Sequence, residues 1–215
     1  MTGNTATTSA YDRFLAQLRA TGREKLDGID GALFGAMTPP ERADARRLLE
    51  IAARRGDAIA ALGLIDLDGA GAVPILREAL PAAYTVPATP RALVLGALLR
   101  LTGDAACSDA LATLIADIEG TDALVRQTAL VQLQNRPASV AVRAALWRSV
   151  RDEPDKTVRF LAAKQLLFAA GLITDVHQRV YPQRDVVRVL TESEGAPRAA
   201  AVRSLELLVG QSPQA

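Results

Sequence analysis

Few side chains in this sequence could do covalent chemistry. His177 is the only histidine and Cys107 the only cysteine among 215 residues, so a nucleophile–base pair would have to recruit one of them. Asp175 stands two positions before His177, and residues two apart do not face each other on a helix. Cys107 shares an apolar stripe with Leu111, Leu114, Ile115 and Ile118, where a thiol is an inert core group. The expectation is therefore no catalytic residue. Asp66-Leu67-Asp68-Gly69-Ala70-Gly71 opens like a calcium loop. Its fifth position is Ala70 and its twelfth Arg77, however, where the ion needs an oxygen donor and a bidentate glutamate. No Lys-Ser/Thr follows the glycines, so the run is no phosphate cradle either. It reads as an inter-helix turn, and no metal and no cofactor are expected.

Recognition chemistry is better represented. Arg143, Trp147 and Arg151 recur every fourth residue and line one helix face, with Arg148 beside them. Arg136 and Arg159 come close to them if successive helical units stack in order. Arginine around tryptophan is the composition of an interface hot spot; the bland counterpart is a solvated face with arginine lying over the indole. Asp104, Asp109, Asp117, Glu119 and Asp122 form a stretch of acids without a base, readable as an acidic patch or as an ordinary solvated face.

Positioning these residues falls to helices. Hydrophobic residues make up 49% of the chain but aromatics only 4%, so the core is built from alanine, leucine and valine, which favours an all-α class. The 25 basic and 24 acidic residues nearly balance, and neither half is basic, so a long-range field for nucleic acid or anionic membrane is missing. The first residues lack the basic-then-apolar layout of a signal peptide. No apolar run approaches the roughly 18 residues of a membrane span. The lone cysteine forms no internal disulfide, and a cytoplasmic location is the expectation.

Taken in order, residues 1–9 are small and polar and read as disordered. Residues 10–20 and 23–37 read as helices, the second weakened by Gly28, Gly31 and Gly35. Thr38-Pro39-Pro40-Glu41 is a capping signature that opens a helix ending near Gly56. From there the chain repeats. With Asp57, Arg91, Arg126, Arg159 and Arg198 in register, leucine stands seven positions later every time, at Leu64, Leu98, Leu133, Leu166 and Leu205. Such intervals mark stacked supersecondary units. Second helices fall between, carrying Val73, Leu76 and Leu80, then the Cys107 stripe, then Val142, Ala145 and Leu146. Residues 173–194 read as a less regular helix pair broken at Tyr181-Pro182. Residues 211–215 are left as a tail.

The run Ala61-Leu62-Gly63-Leu64-Ile65-Asp66, followed by Ala72-Val73-Pro74-Ile75-Leu76, resembles the HEAT-like repeat of the phycobilisome-lyase type. That repeat reads A-L-G-x-I-G-D, a brief turn, then A-V-P-x-L. Here the glycine after Ile65 is missing and the turn is longer. Val125-Arg126 with Ala129, and Val158-Arg159 with Ala162-Ala163, resemble the V-R-x-x-A-A opening of the same repeat. The resemblance covers roughly residues 57–171, more weakly 195–210, and not the first 55. It implies a right-handed α-solenoid of helix pairs over residues 56–210, with residues 10–55 as an N-terminal helical cap packed into the same domain. It carries no single activity.

The expected function is a non-enzymatic module that captures a protein partner, such as a toxin or an enzyme. It would act as an adaptor or as a neutralising protein of the bacterial immunity kind. The expected contact residues are Arg143, Trp147, Arg148, Arg151, Arg136 and Arg159. The alternative is a DNA-binding or repair protein like the HEAT-like glycosylases, against which the balanced charge argues.

Overall fold

The computed structural model describes residues 9–80 and 89–210. The 211–215 tail and all but the last of residues 1–9 lie outside the described residues. The described chain is helical without any strand, and it divides into two compact units, Met1–Thr102 and Gly103–Ala215.

The first unit opens with α1 (Ala10–Arg19). Ser9, assigned to a disordered start, instead caps it: its hydroxyl accepts from the Asp12 amide at 3.0 Å. The expected helix over 23–37 is two short pieces, α2 (Gly22–Leu26) and α3 (Ala32–Gly35), with Gly28 at φ 82° between them. A left-handed residue there ends the helix, as glycine readily does. Phe14 of α1 packs on Phe34 of α3, ring centroids 5.9 Å apart. The Tyr11 hydroxyl donates to Asp44 on α4 (Pro39–Arg54). As its sequence foretells, α4 begins in a capping arrangement, Glu41 Oε2 accepting from the Thr38 amide at 2.8 Å.

Helix α4 is a lid over the next helices, α5 (Ala58–Asp68) and α6 (Val73–Ala79), which a short 3₁₀ turn joins. Leu49, Leu64 and Leu76 are fully buried, each removing enough apolar surface to be worth about 1.5–3 kcal/mol. Gly63, the glycine of the Ala-Leu-Gly run, permits the close approach: a Cβ there would lie 3.0 Å from Ile29 Cδ1 and 3.3 Å from Leu49 Cδ2. Polar ties fix the register, since Arg46 pairs with Asp68 at 2.9 Å and Arg42 donates to the Leu67 carbonyl at 3.1 Å. Asp68 is thereby engaged by a cation, and Gly71 packs against its carboxylate in the turn, as an inter-helix turn requires. Helix α7 (Thr89–Thr102) lies against α5 and α6 and is apolar over most of its surface.

One expectation needs correction. The helical stretch Ala58–Ala79 is 22 residues long with mean hydropathy 1.7, enough by length and composition to cross a membrane. Gly69, at φ 55°, turns the chain in its middle, and Ala60, Leu64, Leu67, Leu76 and Ala79 are buried against neighbouring helices. The run is apolar on several sides because it is sandwiched.

In the second unit, α8 (Ala105–Ala116), α9 (Ala123–Gln132), α10 (Val140–Asp152) and α11 (Lys156–Ala169) form two antiparallel hairpins, α8–α9 and α10–α11. Like packs on like: α8 lies beside α10 and α9 beside α11. The register helices α9 and α11 thus each pair with the helix before them. Aspartates cap the starts. Asp104 accepts from the Ala106 amide, Asp122 from Leu124, and Asp155 from Thr157 and Val158, all between 2.9 and 3.0 Å.

Residues 173–194 are not a helix pair. Only α12 (Arg184–Glu192) forms, and α13 (Gly195–Gly210) follows it. The segment before α12 is pinned by Asn135, whose φ of 55° is the only positive value of a non-glycine among the described residues. Its side chain accepts from the Val176 amide and donates to Asp175, both at 2.9 Å. These contacts replace the backbone ladder that a helix would supply.

Candidate functional site

Arg126, Arg159 and Arg198 occupy one register position and do one job. Each sits near the start of its helix and donates to backbone carbonyls at helix ends or in the connections beside them. Arg126 Nη1 donates to the Ile118 carbonyl at 3.2 Å and also to that of Thr121. Arg159 Nη1 reaches Glu153 and Pro154 at 3.0 and 2.8 Å, while its Nη2 reaches Thr191 at 2.8 Å. Arg198 Nη2 takes the carbonyls of Arg151 and Glu153 at 2.7 and 3.1 Å. Carbonyls at a helix end have no partner within the helix, and the planar fork of arginine serves several at once. These clamps went unread in the sequence, although the register itself held the signal.

Arg159 is accordingly withdrawn from the expected contact surface. It is 2% exposed and holds turn carbonyls together, so it offers no guanidinium to a partner. Glu153 completes this interior network with no exposed surface at all. It takes Arg126 bidentately, at 2.6 Å from Nε and 2.8 Å from Nη2, and also accepts from the Asp155 amide at 2.9 Å.

The other expected residues separate into groups. Arg143, Trp147 and Arg151 do share a face of α10 and line one cavity of about 340 Å³. Its floor is Leu166 and Ala169 of α11 with Ala170 just beyond it, and its far wall is Glu206 and Val209 of α13. The Arg151 guanidinium carbon lies 5.5 Å from the centre of the indole and the group pairs with Glu206 at 2.7 Å. Both partners of that pair are well exposed, so it adds little to stability. It also divides the cavity from a second one of about 470 Å³ lined by Arg198, Val202 and Arg203. Arg148, one residue round the helix, points elsewhere: it lines a separate hollow of about 300 Å³ with Asp109 and Thr113 of α8. Arg136 lies half-buried in the α9–α10 connection, where its carbonyl accepts from Gln165 at 3.1 Å, and it lines none of these cavities.

The acids between 104 and 122 are largely structural. Asp104 and Asp122 cap helices, Asp117 accepts from the Gly120 amide at 2.9 Å, and Asp109 accepts from Ser139 at 2.8 Å. Cys107 is buried. His177 is exposed, its amide donating to Asp175 at 2.9 Å. Among the described residues no three histidine, cysteine or carboxylate side chains gather as a metal site.

The arrangement offers surface chemistry: an indole beside the Arg151 guanidinium, with Arg143 one turn back along α10, over an apolar floor. No protein-family model, curated protein or solved structure matches this chain.

Proposed function

We propose that this chain is a non-enzymatic protein-binding module that grips an acidic, partly apolar segment of its partner in the groove beside α10. The observation that carries the reading is Trp147, part-covered between Arg143 and Arg151 above the aliphatic floor from α11. Tryptophan and arginine at the centre of a recess are the residues that dominate interface energies. A carboxylate on the partner would exchange with Glu206 for Arg151, so charge complementarity sets selectivity and association rate. A neutralising or adaptor role in the cytoplasm fits a module of this kind. The right-handed HEAT-like solenoid belongs to the same proposal, supported by the side-by-side packing of α8 with α10 and of α9 with α11.

The test is recovery of the tagged chain from its native host, with a photo-crosslinking residue placed at Arg143 and, as a control, at Arg13. One stoichiometric protein crosslinked from the first position and not the second is the expected result. Arg143→Glu with Arg151→Glu should abolish it while leaving the circular dichroism of the helices intact. Capture that survives the double charge reversal, or recovery of salt-sensitive DNA in place of a protein, sinks the proposal.

A further inference from the structure

The largest of the described cavities lies on another face of α11 from the Trp147 groove. It encloses about 680 Å³, within the range of small-molecule sites. Lys164 of α11 reaches into it, and the chain from Val176 to Arg184 with the start of α12 forms the opposite wall. The lysine is 2% exposed, and buried lysines are uncommon without a carboxylate. Here none of the described carboxylates pairs with it. An ammonium has three donors; one goes to the Gln178 carbonyl at 2.5 Å, and Nζ lies 3.9 Å from the centre of the Tyr181 ring. Burial holds the amine below its ordinary range and pushes the Tyr181 phenol up.

The mouth adds more positive charge. Arg179 and Arg184 line it and carry no ion pair among the described residues. Arg188 is already shared between Asp185 at 3.6 Å and Glu192 at 3.9 Å. Helix α12 begins at this cavity without a side-chain cap, with Asp185 as the one acid in its first turn. The apolar part of the lining includes Phe160, Leu161, Val187 and Val180, the last 79% exposed, beside the polar Gln134 and Thr191. The nearest negative groups are Asp175, held by Asn135 and the His177 amide, and Glu192. The acceptors in the lining are few, Gln134, Thr191 and Glu192 among them, and Glu192 disfavours a dianion.

We propose that this cavity binds a small organic monocarboxylate, its carboxylate between Lys164 and Arg184 and its apolar body against Phe160, Leu161 and Val187. This assigns the second unit a small-molecule site separate from its protein-binding groove, and either can fail without the other.

Isothermal titration with 4-phenylbutyrate and with 4-phenylbutan-1-ol, its neutral counterpart, tests the assignment. The acid should bind about tenfold or more tighter than the alcohol, as a desolvated charge-assisted contact requires. Lys164→Met, close in size and free of a buried charge, should erase that preference while the alcohol still binds. Arg184→Gln, an exposed change that leaves the core untouched, should weaken the acid several-fold if Lys164→Met does not fold. Inorganic phosphate at equal concentration should not compete. Equal binding of acid and alcohol, binding of neither in the millimolar range, a preference that survives both substitutions, or competition by phosphate each overturns the proposal.

Discussion

Glu153→Gln is the substitution whose cost the structure specifies most closely. Every partner of this carboxylate is a donor: Arg126 Nε and Nη2, and the Asp155 amide. A glutamine amide keeps one acceptor oxygen but turns an NH₂ group toward either a guanidinium or another N–H. The Arg126 side chain is only 4% exposed, so water cannot replace the lost acceptor, and a buried cation loses its counter-charge. Breaking such a pair from one side costs about 3–5 kcal/mol. Glutamine retains part of the hydrogen bonding, which places the expected loss near 3 kcal/mol. Against a typical domain stability of roughly 5–15 kcal/mol this is a large fraction. Urea unfolding followed by circular dichroism should show a lower midpoint with little change in slope. A loss below about 1 kcal/mol would refute the claim that Glu153 and Arg126 form a water-free pair fastening α9 to the end of α10.

Gly63→Ala weighs helix propensity, worth about 1 kcal/mol in favour of alanine, against crowding of Leu49 and Ile29, which costs about 1–3 kcal/mol. Thermal unfolding should show a net loss of about 1 kcal/mol, and a stabilised variant would mean that α4 and α5 pack less closely than described. The hydrogen bond from Tyr11, helped by Arg47, holds the Asp44 carboxyl below its ordinary value of 3.8. A lowered carboxylate stabilises the fold above that value and loses the contribution as pH falls through its folded pKa. Tyr11→Phe should therefore move the Asp44 titration upward, read by carbon-detected NMR, and an unmoved titration would dismiss the contact.

The helices were legible where one physical signal acted alone. Thr38 to Glu41 announces a start, and the leucines seven residues into each register helix are buried at Leu64, Leu98, Leu133, Leu166 and Leu205. The helix expected before Tyr181-Pro182 does not form, and the Val176 amide is instead satisfied by Asn135, 41 residues away. Local pattern cannot report a partner so distant in the chain. The face shared by Arg143, Trp147 and Arg151 follows from helical periodicity alone. Arg136 and Arg159 do not, because proximity by stacking says nothing about which way a guanidinium turns. Lys164 has no partner at helical spacing to make it noticeable in the sequence; only its burial marks it out.

The return of Arg198 from α13 to the end of α10 ties together residues 45 to 48 positions apart in the chain. Its Nη2 takes the carbonyls of Arg151 and Glu153, at a helix end whose carbonyls lack partners within the helix. Residues inserted between α11 and α13 would have to leave that guanidinium within reach of those carbonyls or strand them. The spacing of α10 and α13 is therefore a condition of this part of the fold, and added length has to loop outside the contact.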